Sequence, residues 1–148
     1  MSDAPDTPAE LKARALRHLV RREHSRAELT RKLAPHAEST EAVEAVLDLL
    51  LSKKQQSDER FAAERAHVLA RKYGTTKIRQ DLKARGIAEE LIGRLPREGE
   101  LERARAILQK KFPRESEDLK DKARRARFLQ GRGFSPDIIR SLVLRAED

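Results

Sequence analysis

The chain has 148 residues, a formal charge of +8, 39% charged and 38% apolar residues, 3% aromatic residues and no cysteine. Without cysteine, disulfides, thiolate catalysis and cysteine-ligated zinc are excluded, and the scarcity of aromatic and β-branched residues argues against a sheet. Ala, Leu, Glu, Lys, Arg and Gln dominate, and the regular spacing of Leu, Ile, Val and Ala sets the chain apart from disordered polyelectrolytes and predicts an all-α fold.

Residues 1–8 are polar, with Asp3, Pro5, Asp6 and Pro8. They lack the apolar stretch of a signal peptide and are expected to form a flexible tail. Apolar spacing then predicts a helix over roughly 9–23, marked by Leu16, Leu19 and Val20. Ser25 and Glu28 read as a capping box: the serine accepts from the third helical N–H and the glutamate reaches back to the serine N–H. Leu29 and Leu33 continue that helix to Pro35. Ser39 or Thr40 caps the next, in which Val43, Val46, Leu47 and Leu50 share a face. Leu49-Leu50-Leu51 is the longest apolar run and is far too short to span a bilayer, so a cytoplasmic location is expected.

Ser57, with Asp58 and Glu59 at the positive end of the dipole, starts a fourth helix that Tyr73-Gly74 ends. Thr75 opens a fifth, bearing Ile78 and Leu82 and ending at Arg85-Gly86-Ile87; Leu91, Ile92 and Leu95 mark a sixth. A seventh carries Leu101, Ala104, Leu108 and Phe112, and Pro113 stops it. Residues 118–131 and 136–145 make the eighth and ninth.

Nine helices in three groups of three indicate an internal repeat. Leu82–Leu95 aligns with Leu129–Leu142 at a constant offset of 47, pairing Arg85 with Arg132, Gly86 with Gly133 and Ile87 with Phe134. The first group aligns with the second at an offset of 49, pairing Leu29 with Ile78 and Leu33 with Leu82. Gly86 and Gly133 are expected to take the left-handed conformation just past a helix end, folding Ile87 back on Leu82 and Phe134 on Leu129. Ser135-Pro136-Asp137 then restarts the chain as cap, first helical residue and dipole-compensating acid. Three such triplets, 9–52, 53–95 and 96–148, are expected to give an elongated, curved molecule.

The segment LVRREHSRAELTRKL (Leu19–Leu33), Tyr73-Gly74 with Ile78, Leu82 and Gly86-Ile87, and Lys122 with Phe128-Leu129 and Arg132–Ser135 together resemble the RecX family, modulators of the RecA recombinase. The likeness covers about residues 11–144 and departs from the family pattern at Pro35-His36, where the first repeat lacks the glycine turn, and at Arg125. The resemblance implies three tandem three-helix repeats. It also implies binding to RecA and to its filament on single-stranded DNA, along the filament groove. Its expected effect is modulation, most often inhibition, of RecA ATPase, strand-exchange and co-protease activities in homologous recombination, DNA repair and the SOS response.

No catalytic constellation is legible. The glycines are isolated, no Gly-Lys-Ser/Thr follows them, and no strand-turn-helix carries a serine nucleophile. His18, His24, His36 and His67 lack metal-ligand spacing and read as surface or helix-end residues. No enzyme, cofactor, metal, small-molecule substrate or membrane association is expected.

The basic excess is uneven: residues 1–52 sum to −1, 53–95 to +5 and 96–148 to +4. Lys120, Arg124 and Arg127 fall at i, i+4 and i+7 on one helix face, and Arg103 and Lys110 share another. With Lys77, Lys83, Arg85 and Arg132 they are the candidate contacts to RecA or DNA, although amphipathic helices turn charge to solvent in any case. Glu41, Glu44 and Asp48 form an acidic stripe on the first repeat, the wrong sign for a recognition helix in the helix-turn-helix outline of 25–51. Direct DNA binding without sequence preference, and a helical adaptor for another protein, are the alternative readings.

Overall fold

The computed structural model describes residues 4–144. Its helices are α1 (Pro8–Arg21), α2 (Arg26–Leu33), a 3₁₀ turn (Ala34–His36), α3 (Thr40–Ser52), α4 (Asp58–Leu69), α5 (Thr75–Ala84), α6 (Glu89–Gly93), α7 (Glu100–Lys111), α8 (Leu119–Gly131) and α9 (Pro136–Leu142). Among the described residues there is no strand, and no helix is long and apolar enough to cross a membrane.

Side-chain caps set many of the boundaries. Thr7 with Glu10 and Ser25 with Glu28 both close as full capping boxes. Ser39 and Ser135 each accept from the third helical N–H, and Asp118 accepts from Lys120 N–H. Each such cap contributes about 1 kcal/mol by satisfying an N–H that the helix leaves unpaired. The ninth helix stops at Leu142, short of the expected 145, because Val143 leaves helical geometry at φ −121; residue 145 itself lies outside the described residues.

The expected flexible tail needs correction at residues 6–8. Asp6 N–H donates to the His36 carbonyl at 2.8 Å, the Asp6 carboxylate pairs with Arg14 at 2.8 Å, Thr7 caps α1 and Pro8 is its first residue. Thr7-x-x-Glu10 is the same signature as Ser25-x-x-Glu28 and moves the helix start to Pro8.

By contacts the chain divides into two compact units, residues 1–64 with 83–93 and residues 65–82 with 94–148. In the first, α1, α2 and α3 close on Leu11, Ala15, Leu29, Leu33, Val43, Val46, Leu47 and Leu50. Leu29, Leu33, Leu47 and Leu50 are all fully buried, and at about 1.5–3 kcal/mol per large apolar side chain they supply most of the driving force there. In the second, α7, α8 and α9 close on Ala104, Leu108, Leu129, Phe134, Ile139 and Val143. The second triplet is shared: Phe61, Ala62, Ile87 and Ile92 are buried residues of the first unit, Ile78 and Leu82 of the second.

Candidate functional site

Each unit contains one junction between successive triplets, and the two are built at equivalent positions of the repeat. In the first unit the turn at the end of α5 meets the N-terminus of α2. The Ser25 hydroxyl donates to the Arg85 carbonyl at 2.7 Å, and Gly86, at φ +83, lies so close to Ala27 that an added Cβ would sit 2.4 Å from the alanine Cβ. In the second unit the turn at the end of α8 meets the N-terminus of α5. Gly74 N–H donates to the Arg132 carbonyl at 2.7 Å and Thr76 N–H to the Gly133 carbonyl at 3.0 Å. Gly133, at φ +88, has no room for a Cβ beside Lys77, whose Cβ and N would lie 2.6 and 2.7 Å away.

The chain folds into these turns for a local reason. Phe134 N–H donates to Leu129 O at 3.1 Å and Gly133 N–H to Gln130 O at 3.0 Å, the paired bonds of a Schellman ending with a left-handed glycine. Phe134, now 3% exposed, is folded into the core beside Leu129, which removes it as a platform for stacking a base. Gly86 N–H donates to Lys83 O at 3.0 Å in the matching place.

The junctions repeat in their supporting contacts too. Gln56 Nε2 donates to the His24 carbonyl at 3.3 Å. One repeat later, Arg103 donates to the Ala70 and Tyr73 carbonyls at 3.2 and 3.3 Å. Asp58 accepts from Arg26 N–H at 2.8 Å and Glu100 from Thr75 N–H at 3.0 Å. A side chain of the incoming triplet therefore satisfies donors and acceptors that the preceding helix ends leave open.

At the centre of the first junction, Glu28 is 6% exposed. Its carboxylate accepts from Arg85 at 2.6 Å, Arg22 at 3.1 Å and Ser25 N–H at 3.1 Å. Burial acts to raise its pKa, but the bonds from Arg22, Ser25 and Arg85 outweigh that and hold it at about 2. The second junction has Lys77 at the equivalent position. Its ammonium donates to Gly131 O at 3.0 Å, and Arg132 instead lies over the Tyr73 and Phe128 rings at 5.8 and 5.0 Å.

These geometries divide the sequence-derived contact candidates. Arg85, Arg103 and Arg132 are half-buried and engaged internally, by Glu28, by the Ala70 and Tyr73 carbonyls after α4 and by the two rings with Lys72 O respectively. Their guanidinium groups are engaged in the contacts between triplets. Lys83 is exposed but pairs with Glu89 at 2.6 Å. Lys110, Lys120, Arg124 and Arg127 are exposed. Lys120, Arg124 and Arg127 line an open depression of about 550 Å³ on α8, together with Ser116, Asp118, Asp121 and Ala123. Arg124 pairs with Asp121 at 2.7 Å, and Arg125 holds the same carboxylate at 3.0 Å. Hydrogen bonding from Arg124 is the first cause of the low Asp121 pKa.

Histidine 24 departs from expectation. It is 2% exposed, with Nδ1 3.0 Å from the Arg22 carbonyl and Nε2 3.0 Å from the Lys32 ammonium. A carbonyl and an ammonium on opposite ring nitrogens require a neutral imidazole that donates from Nδ1 and accepts at Nε2. Burial, then the charges of Arg22 and Lys32, lower its pKa, and burial with Lys32, Arg21, Arg17 and Arg14 lowers that of His18, whose ring lies 5.5 Å away. Sequence spacing gave no sign of this cluster, because Lys32 reaches His24 from eight residues on across the bend between α1 and α2.

Comparison with known proteins matches each triplet to its own family model: residues 12–50 to the first three-helix domain of RecX, 57–94 to the second and 98–143 to the third. The chain is 42% identical to the regulatory protein RecX of Ralstonia pickettii over 147 residues, covering 97% of this chain and 92% of that one. It is 45% identical to the regulatory protein RecX of Leptothrix cholodnii, covering 93% and 89%. The crystal structure of RecX from Lactobacillus salivarius superposes with a TM-score of 0.80 at 17% identity, over 93% of this chain and 94% of that one. A second crystal structure of a regulatory protein RecX gives a TM-score of 0.73 at 22% identity, over 90% and 73%. Both relatives and the second crystal structure are described as regulatory proteins.

Proposed function

The chain belongs to the RecX family of regulatory proteins, and on that premise we propose that it binds RecA and the RecA filament on single-stranded DNA, in the filament groove, and inhibits its ATPase, strand-exchange and co-protease activities. It does so in the cytoplasm, during recombinational repair and the SOS response, by occupation of the filament and without chemistry of its own.

The observation that carries this reading is the separation of the arginines into two classes. Arg85, Arg103 and Arg132 are consumed inside the junctions, whereas Lys120, Arg124 and Arg127 stand exposed in one row over an open depression. A row of exposed cations raises the local positive potential and so favours an anionic polymer or an acidic protein face. Several modest contacts to neighbouring protomers of one filament add by avidity.

Titration of the protein into a RecA–single-stranded DNA ATPase reaction tests it. ATPase is expected to fall at stoichiometric protein, and Lys120, Arg124 and Arg127 changed together to Glu should weaken filament binding while circular dichroism stays unchanged. Full ATPase at low and moderate salt with the parent protein would refute the proposal.

The same exposed cations favour one second reading, direct DNA binding without sequence preference. It requires binding to oligonucleotide in the absence of RecA, with a salt slope that drops by about one for each phosphate contact removed; no binding at about 50 mM salt ends it.

A further inference from the structure

Three acids on α3 and three cations on α8 face solvent. Glu41, Glu44, Lys120 and Arg127 are exposed and hold no ion pair among the described residues. Asp48 and Arg124 are exposed as well, and each has a partner on its own surface. Asp48, with its side chain 71% exposed, takes Arg26 at 2.8 Å, and Arg124, 64% exposed, takes Asp121 at 2.7 Å. Exposed pairs of this kind are weak in water and exchange readily. Arg125 holds Asp121 at 3.0 Å whether or not Arg124 stays.

The two stripes match in spacing. Lys120, Arg124 and Arg127 are separated by four residues and then three; read backwards, Asp48, Glu44 and Glu41 are also separated by four and then three. Each stripe covers about 10 Å of helix length and stays within about 60° of the circumference. Two helices laid antiparallel therefore bring Lys120 level with Asp48, Arg124 with Glu44 and Arg127 with Glu41. Laid parallel, the outer pairs align but the middle one is out by one residue, about 1.5 Å along the axis and about 100° around it. Ala45 and Ala123 flank the stripes and are level with each other in the antiparallel register, so no large side chain holds the helices apart there.

From this complementarity we propose that the protein self-associates, the α3 acids of one copy docking antiparallel on the α8 cations of a second copy. The first triplet sums to −1 and the third to +4, so the two also attract before contact. Nucleic acid matches the basic row alone, whereas a copy of this chain supplies both halves of the contact. The proposal does not depend on the filament reading above. Both use the α8 row, so a filament face bound there displaces the second copy.

A contact made of exposed ion pairs is weak and salt-sensitive, so the purified full chain is sedimented at about 0.5 mM protein and about 25 mM salt. The average mass is expected to exceed that of one chain and to return to it at about 0.5 M salt. Glu41→Lys, Glu44→Lys and Asp48→Lys together, or Lys120→Glu, Arg124→Glu and Arg127→Glu together, should each weaken association about tenfold or more. An equimolar mixture of the two triple variants should recover it, because a lysine stripe then meets a glutamate stripe. The chain lacks cysteine, so copies carrying Ala45→Cys, mixed with copies carrying Ala123→Cys and a short bismaleimide, should join 45 to 123 in large excess over 45 to 45 and 123 to 123. A parent of single-chain mass at low salt overturns the proposal. So do triple variants that associate like the parent, or a mixture that stays monomeric while circular dichroism shows both variants folded. Should a triple variant fail to fold, the crosslink decides, and a random distribution of its three products overturns the contact.

Discussion

A carboxylate held by two guanidinium groups and a backbone N–H, at 6% exposure, makes Glu28 the most consequential single residue of the first unit. Its folded pKa of about 2 lies below the ordinary 4.5. Above pH 4.5 both states are ionised and the stabilisation is fully present. As pH falls toward 2 the unfolded chain takes up a proton that the folded chain refuses, and about 3 kcal/mol drains away across that window. Glu28→Gln is expected to cost about 3 kcal/mol at neutral pH, because Arg85 is left half-buried without its carboxylate, and to flatten this acid limb. Urea unfolding at a series of pH values reads both effects; a midpoint equal to the parent's at pH 7 would contradict the ion pair's role. Sequence identified Glu28 as a cap and no more, since the capping box is local. Arg85, fifty-seven residues later, becomes its partner only through the fold.

At the scale of elements, the helix ends carry the architecture. Gly133→Ala meets two penalties, a left-handed φ and a Cβ 2.6–2.7 Å from Lys77 main chain and Cβ, and should destabilise by about 2 kcal/mol or more. Gly99→Ala is the control: its φ is +81 but nothing lies within 4 Å, so it should cost only about 1 kcal/mol. Equal melting temperatures for the two variants would refute the close approach at the second junction. The left-handed glycines, the Schellman ending and nearly every helix were legible from spacing, because caps and apolar periodicity are encoded within a few residues. The Thr7 cap was overlooked behind prolines that suggested a tail. The junction roles of Arg103 and Arg132 were not legible, since each reaches carbonyls thirty or sixty residues away. A guanidinium spent on a helix end has the same sequence signature as one facing solvent.

For the whole molecule, the two compact units differ in their titratable interiors. The first holds His24, buried against Arg22 and Lys32, and half-buried His18 beside it. Burial lowers both pKa values. Such a histidine favours the folded state fully above its unfolded pKa of about 6.5, and that contribution is lost as pH falls further, because only the unfolded chain gains the proton. In the second unit His67 is exposed on α4. Going from about pH 7 to about pH 5 should therefore lower hydrogen-exchange protection of α1–α3 before that of α7–α9. His24→Gln should remove the difference, and parallel loss in both units would count against it. The candidate contact surface was legible as a row on one helix, Lys120, Arg124 and Arg127; the depression that this row lines was not, because Ser116, ahead of α8, completes it only in the fold.

The two junctions also set different rules for how the sequence can drift. At the first, Gly86 faces the methyl group of Ala27, so Ala27→Gly would relieve the close approach to a Cβ at position 86 but not the left-handed φ of +83 that still favours glycine there. At the second, Gly74 and Gly133 lie with main chain against main chain, and no exchange of side chains can make space. Among relatives, a side chain at position 86 should therefore be rare and, where it occurs, accompanied by glycine at 27, whereas 74 and 133 should stay glycine.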